Sequence, residues 1–513
     1  MGNSVGKRIA QNTIYIYIGL VLCTMTSLCT VPLLLKNLGV NDYGIYNLVA
    51  GVIAMLSFFK GSMIVTVQRF MNVAYGEGNV ERVNKIFTVS LVLYITAAVI
   101  IAIIVEFLGP FISNGYLNIE SNRINAATVL FQVLVISTVI TTIMVPYDAL
   151  FNVHEDLGMY SLFNVTDHLL KLISAIFIGY IFIWDRLILY AICSVSVTSL
   201  VFFIKFVICK RKYNNVTIVK IDRHDVLIVK EMLSFIGWNL YSTVAKIFST
   251  QGFAVVLNLF MGTAINAAYG VANQINGSLS QFTTSVGRAF NPQIMKSEGM
   301  KNDDRLINLS LLSTKYSSFI YSFFAIPLIT AMPFVLRIWL GKIPEYTLII
   351  SKILIISSIV SMLSVGLAPT LYAKGKIKFY LVTLGTLLIL IVFMAYILLS
   401  TGMSVTIAVS LFVIIEIIML GVRLYCCKKE VNLSIRAYLF GVFVPYFKVT
   451  IPVIAVMYFL SCDSFMDLVF VCTLSSILFL VCIYFLGFDE KERSTINVLC
   501  SRLLKRNVNE KNI

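Results

Sequence analysis

The chain has 513 residues, 59% of them hydrophobic and only 13% charged, with a mean hydropathy of +0.90. A soluble domain carries roughly 25% charged residues, so this chain cannot clothe itself for water, and its composition places it in a membrane. Its net charge of +15 is spread over many short loops, a pattern suited to anionic lipid heads and not to nucleic acid.

The first apolar run, 12–35, follows Lys7 and Arg8. No small-residue cleavage site follows it, so it reads as an uncleaved first helix. Runs of about 20 mostly apolar residues, enough to cross a bilayer, recur at 43–67, 85–107, 125–147, 158–183, 187–208, 232–260, 266–290, 313–336, 346–372, 379–400, 404–423, 438–460 and 466–487. The expected fold is an all-α polytopic membrane protein of about 14 transmembrane helices. Lys and Arg concentrate in every second loop, above all between Lys210 and Lys230. That bias puts both termini in the cytoplasm. The loop holding His154, Glu155 and Asp156 breaks the pattern, having no Lys or Arg.

The pattern also repeats. "LGVNDYGIYN" (38–47) is matched by "MGTAINAAYG" (261–270), and "QRFMNVAYGEGNVERVNK" (68–85) by "GRAFNPQIMKSEGMKNDDRLIN" (287–308), at a nearly constant offset. Six spans return the chain to its starting side, so the halves run in the same orientation, as a parallel repeat about an axis along the membrane normal. The expected organisation is an N-terminal six-helix bundle over 1–210, a basic cytoplasmic linker over 211–231 and a C-terminal six-helix bundle over 232–430. Two extra transmembrane helices over 431–488 and a cytoplasmic tail over 489–513 complete it.

Among the cations of these spans are Lys60, Lys171, Lys246, Arg288 and Lys448, with Arg69 at the inner end of the second. A cation at the bilayer centre costs roughly 2.5–3.5 kcal/mol on insertion scales, so most of these are expected to face a shared, water-filled cavity. In "NVTDHLLKLIS" (164–174), Asp167 and Lys171 are four apart and share a helix face with His168. They read either as an ion-responsive cluster or as a staple between helices. The eighth span carries a polar stripe of Asn266, Asn273, Gly277, Gln281, Thr284 and Arg288 at helical spacing. The seventh adds Asn239, Ser242, Lys246 and Ser249. Such neutral polar residues serve equally as glue between helices.

Catalysis and metals find little footing. The ten cysteines form no CxxC pair, and His154, His168 and His224 are the only histidines. No metal site and no cofactor are therefore expected. No Gly-rich phosphate loop of the Walker type occurs. Asp222, His224 and Asp225 cluster in a basic loop and read as solvated. An enzyme is not expected. A lumen lined by Arg and Lys would attract an anion, and Arg grips phosphate with two parallel hydrogen bonds.

The motifs "LGVNDYGIYNLVAG" (38–51), "QRFMNVAYGEGN" (68–79), "PYDALFNVHEDLGMYS" (146–161), "GWNLYS" (237–242), "NLFMGTAINAAYGVANQIN" (258–276), "NPQIMKSE" (291–298) and "LRIWLGKIPEYT" (336–347) resemble, in that order, the bacterial Wzx-type polysaccharide repeat-unit flippases. These belong to the MATE-like superfamily. The resemblance covers roughly residues 10–430. It implies two pseudo-symmetric six-helix bundles around a central cavity that opens alternately to each face. It also implies flipping of undecaprenyl-diphosphate-linked oligosaccharide across the bacterial inner membrane, for O-antigen, lipopolysaccharide or capsule biosynthesis. Membrane lipids, polysaccharide polymerase and glycosyltransferases would be its partners. Lipid II is a rival cargo, and a cation-coupled multidrug exporter of the same fold is a rival function. The chain departs from relatives at Tyr269, where Arg is frequent, near Arg288, where a neutral polar residue is, and at Lys60, where Asn is. Expected site residues therefore rest on charge: Lys246, Arg288, Lys171, Arg69 and Lys60 as cavity cations, with Asp167, His168, Asn273 and Gln281 as coupling or lining groups.

Overall fold

The structure, a computed structural model, describes residues 2–39, 42–46, 49–50, 57–107, 109–110, 121–181, 185–213, 216–222, 225–340, 343–490 and 492–494. No strand occurs among them. The main helices are α1 (Gly2–Leu38), α2 (Ser57–Gly76), α3 (Val80–Glu106), α4 (Ile124–Ile143), α5 (Val145–Val153), α6 (Leu157–Phe177), α7 (Arg186–Lys212), α8 (Val226–Met261), α9 (Thr263–Gly299) and α10 (Asp303–Leu340). They continue as α11 (Thr347–Met362), α12 (Leu367–Lys374), α13 (Lys378–Ser400) and α14 (Val405–Val431). The last two are α15 (Ile435–Tyr458) and α16 (Phe465–Gly487).

Among the described residues, 11 helices are long and apolar enough to cross a membrane, and the pair α11–α12 would make a twelfth. The sequence expects two more. One corresponds to α2, whose predicted span 43–67 includes residues outside the described ones, and the other to α9. The helix α9 has membrane-crossing length but too many polar residues to qualify by hydropathy. Several helices also outrun their predicted spans: α9 has 37 residues and α10 has 38. At 1.5 Å per residue, α9 is ~55 Å long, well beyond the ~30 Å hydrocarbon layer. Hydropathy detects only the apolar middle of such a helix.

The repeat is visible in backbone details at equivalent positions of the two halves. Gly39 (φ 85°) ends α1 and Gly262 (φ 80°) ends α8. Both need the left-handed region that glycine enters freely. Gly78 (φ 71°) pairs with Lys301 (φ 53°) in the turns after α2 and α9. Pro146 opens α5, and its counterpart Pro369 lies in α12. In the second half the fourth span is broken, with α11 and α12 bent by 49°, whereas in the first α4 and α5 run as one span of 30 residues interrupted only at Met144.

That break is held by side chains. Gly366 lies so near α10 that a Cβ would meet the Ser310 carbonyl at 2.4 Å. Ser310 donates to the Gly366 carbonyl at 2.8 Å, and the Gly366 N–H donates to Thr314 at 3.2 Å. Tyr438 donates to the Leu363 carbonyl at 2.8 Å, and Arg423 to the Ser364 hydroxyl at 2.7 Å. Backbone groups freed inside a membrane protein need such partners.

The chain forms two compact units. Unit 1 comprises Met1–Val244, Arg288–Leu306 and Tyr372–Val382; unit 2 comprises Ala245–Gly287, Ile307–Leu371 and Thr383–Ile513. The core of unit 1 includes Val49, Val105, Ala127, Leu130, Phe131 and Leu187. In unit 2, one core joins Phe253, Leu257, Ala268, Tyr269, Ile391, Ala395 and Phe412, and a second joins Phe319, Tyr446, Val449, Val471 and Phe479. The second core attaches α15 and α16 to α10.

Candidate functional site

In unit 1, α1 and α6 approach closely. A Cβ on Gly19 would overlap the Ser161 hydroxyl at 1.8 Å, and Ser161 donates to the Tyr15 carbonyl at 2.9 Å. Further along α6, the Lys171 ammonium donates to Asp167 at 2.7 Å, with side chains 31% and 23% exposed. His168 Nδ1 stands 3.3 Å from the Ser27 hydroxyl of α1. The sequence-expected trio is thus one polar patch joining α6 to α1. Its charges are already balanced.

Arg69, on α2, is engaged differently. Its guanidinium lies over the rings of Phe70 and Phe235, at 4.5 and 5.2 Å. It donates to the carbonyls of Tyr372 at 2.6 Å and Ala373 at 3.3 Å. A cation on the last carbonyls of a helix satisfies acceptors that the helix leaves open. Lys60 lies on α2, and its side chain is outside the described residues.

The helix α9 supplies the clearest feature. Gly270, Gln274, Gly277, Gln281, Thr284 and Arg288 recur every three or four residues, and all are exposed. Asn273, beside this face, is half-buried and donates to the Tyr269 carbonyl at 3.0 Å; the Asn266 side chain is outside the described residues. The opposite side, with Ala268, Tyr269, Ala272, Leu279 and Val286, is buried. The exposed faces of the apolar spans look quite different: α3 presents Val92, Ile95, Val99 and Ile103. Hydrocarbon suits such a face but not one of amides, hydroxyls and a guanidinium. On α8, Lys246 is exposed as well. Neither the Lys246 nor the Arg288 side chain has an ion-pair or hydrogen-bond partner among the described residues.

The acids inside the predicted spans are all engaged. Glu106 accepts from Gln132 at 3.1 Å, Asp167 is held by Lys171, and Glu416 faces Arg423 at 3.5 Å. Asp467 accepts the Ser464 N–H at 2.9 Å. No group of three or more His, Cys, Asp or Glu residues able to hold a metal occurs among the described residues.

Several ion pairs escape sequence reading. Lys205, near the end of the predicted span 187–208, lies inside α7, is 3% exposed and donates to Asp148 at 2.7 Å. Buried Lys315 of α10 donates to Glu492 at 2.7 Å, and Tyr316 donates to the same carboxylate at 2.9 Å. Lys296 pairs with Glu155, and Lys212 with Asp156. These last two explain the loop without Lys or Arg, because its cations arrive from α7 and α9. Asp225 is buried rather than solvated: it accepts the Asp222 N–H at 2.8 Å and faces Lys85 at 3.6 Å. His224 of that cluster lies outside the described residues.

Comparison with solved structures decides the fold. A mutant MATE transporter superposes with a TM-score of 0.70 at 15% identity, covering 83% of this chain and 96% of that one. A MOP superfamily transporter from Pyrococcus furiosus, described as having a binding pocket of reverse polarity, gives 0.69 at 15% identity, covering 84% and 97%. An outward-facing multidrug resistance MATE transporter of the MOP superfamily gives 0.68 at 14% identity, again covering 84% and 97%. The fold is MATE-like. No known family's sequence profile matches the chain, and no curated protein does. The MATE-like fold spans nearly the whole of these neighbours. It also gives the polar face of α9 a setting among membrane-crossing helices.

Proposed function

We propose that the protein is a bacterial inner-membrane transporter that flips polyprenyl-diphosphate-linked oligosaccharide repeat units for surface polysaccharide assembly. One observation carries this reading. Within the predicted spans every carboxylate is engaged, while Lys246 and the exposed Arg288 at the end of the polar face of α9 have no side-chain partner among the described residues. Unpaired cations facing a lumen attract an anion, and a diphosphate offers several acceptor oxygens to them. The neutral amides and hydroxyls of α9 are suited to the hydroxyl groups of sugars. Undecaprenyl diphosphate is the carrier that the sequence resemblance suggests.

A multidrug resistance transporter shares this fold, and the rival reading is an exporter of cationic drugs. It would want free carboxylates where this chain has free cations. For the Pyrococcus furiosus protein, reverse polarity of the binding pocket is described as suggesting a different function.

The test is complementation of a strain lacking the gene with wild type, Lys246→Ala and Arg288→Ala. Surface polymer is blotted and lipid-linked repeat units are assayed on each leaflet. The reading expects full polymer with wild type only, about ten-fold less in each variant, and repeat units accumulating on the inner leaflet in both. Normal polymer in the deletion strain itself would sink it and direct attention to lipid II or drugs.

A further inference from the structure

Lys448 is an intramembrane cation that the polar face of α9 does not account for. It lies on α15, thirteen residues after Ile435 and ten before Tyr458. At 1.5 Å per residue α15 is ~36 Å long, little more than the ~30 Å hydrocarbon layer. A helix of that length has its middle near the bilayer midplane, and Lys448 stands ~15 Å from the nearer end. Lysines close to a helix end bring their ammonium to the interface along a four-carbon stem. Lys448 is too deep for that.

Its side chain also points away from the rest of its unit. Tyr446, Val449, Val453 and Met457 form the buried face of α15, packed with Phe319, Val471 and Phe479 of α10 and α16. Lys448 falls on the opposite side by helix geometry. It is exposed there, and its exposed companions are Phe440, Phe447, Ile451 and Ile454. This is the apolar kind of face that α3 presents with Val92, Ile95, Val99 and Ile103, but with one ammonium set in it. The Lys448 side chain has no ion-pair or hydrogen-bond partner among the described residues. Pro452, four residues on, has no N–H to give the Lys448 carbonyl its helical bond.

A charge at this depth is costly, and such charges are found paired. Elsewhere in this chain Lys171 has Asp167, Lys205 has Asp148 and Arg423 has Glu416. Three sources could supply the anion for Lys448. Headgroup phosphates stay at the interface, ~15 Å from this depth. A second copy of the chain offers no match: Asp167 and Glu416 are engaged by their own cations, and Glu106 and Asp467 lie at the ends of α3 and α16. The third source is a carboxylate on a helix of another protein. Each charge is unfavourable alone in hydrocarbon, and the two offset one another when the helices meet.

We propose that the face of α15 around Lys448 is a docking surface for a transmembrane helix of a different membrane protein, one that carries a single Asp or Glu at mid-bilayer depth. Phe440, Phe447, Ile451 and Ile454 supply the packing area, and the ammonium sets the depth and the choice of partner. The inference is independent of the cargo the protein moves.

The test uses the purified full-length protein in phosphatidylcholine vesicles and a labelled polyleucine helix of about 20 residues. The peptide carries Glu at its centre, Leu at its centre, or Glu one turn from its end. Energy transfer from a fluorophore on the protein reads association. The central-Glu helix should bind wild type about ten-fold more tightly than either of the others. Lys448→Leu should abolish that preference and Lys448→Arg should keep it. If Lys448→Leu does not fold, Lys448→Gln gives the same readout. Equal binding of the central-Glu and Leu helices to wild type would overturn the docking surface, as would a Glu preference that survives in a folded Lys448→Leu protein. Lys448-dependent energy transfer to labelled phosphatidylglycerol or polyprenyl diphosphate, with no preference for the central-Glu helix, would overturn it in favour of a lipid anion.

Discussion

Asn79 and Asn302 perform the same act in the two repeats: each side-chain oxygen accepts the backbone N–H three residues on, from Arg82 and Arg305 respectively, at 2.9 Å. They start α3 and α10. Removing an N-cap of this kind costs ~1 kcal/mol. Asn79→Ala and Asn302→Ala should each lower the thermal midpoint in detergent, and Asp at either position should restore most of it. An unchanged midpoint in both alanine variants would show that the neighbouring contacts, not the caps, set these helix starts.

The Glu155–Lys296 pair is nearly dry, with side chains 10% and 6% exposed. Removing one partner of a buried pair typically costs about 3–5 kcal/mol, because the other charge is stranded. Lys296→Met and Glu155→Leu should therefore each be strongly destabilising. The double variant should be more stable than either single one. A double-mutant cycle by thermal unfolding checks this, and simple additivity would refute the pairing.

His154 stands in the same turn, stacked on Tyr213 with ring centroids 4.0 Å apart and edge-on to Tyr75 at 5.3 Å. Burial holds its imidazole below the ordinary value of 6.5, and the Lys296 and Lys212 charges add to this, against opposing contributions from the Leu150 carbonyl and Asp156. The folded state thus favours neutral His154, while the unfolded chain takes up the proton more readily. The stability this gives is complete above about pH 6.5 and is lost as pH falls toward the lowered folded value. The thermal midpoint should drop between pH 7.5 and 5.5, and His154→Phe should flatten that drop. An equally steep fall in the phenylalanine variant would assign it to other groups.

Lys246 and Arg288 are exposed and their side chains lack partners, so their replacement by alanine should change stability by no more than about 0.5 kcal/mol. Export should fall on the order of ten-fold, the equivalent of one lost charge-assisted contact of about 1.4 kcal/mol. Lys171 differs because it neutralises Asp167 at 2.7 Å. Lys171→Ala should abolish export while membrane abundance is kept, whereas Lys171→Arg should retain export. Full export in Lys171→Ala would make the pair a staple between α6 and α1 and nothing more.

The parts legible in the sequence are those governed by local spacing. The i,i+4 relation of Asp167 to Lys171 and the stripe of Gly277, Gln281, Thr284 and Arg288 need only helix geometry; Gly270 and Gln274 of the exposed face were not read from the sequence. The repeat was legible because equivalent turns need equivalent glycines, Gly39 with Gly262 above all. What was not legible depends on distant partners. Lys205 finds Asp148, Lys296 finds Glu155 and Arg69 finds the end of α12. None of these pairings leaves a periodicity, and each cation could be counted from sequence as an ordinary loop or lumen charge. The bend at Gly366 was hidden for a related reason: it is set by Ser310 and Thr314 of a different helix.

Lys315 and Glu492 are separated by 177 residues, and this distance has a consequence for assembly. The ribosome releases the lysine long before its carboxylate. Throughout that interval α10 carries a cation that its final packing would bury alone. The second unit can complete its charge balance only when almost the entire chain has been made. Glu492 is thus the closing stitch of this unit, and cutting the chain ahead of it would leave α10 with the same stranded ammonium it had during synthesis.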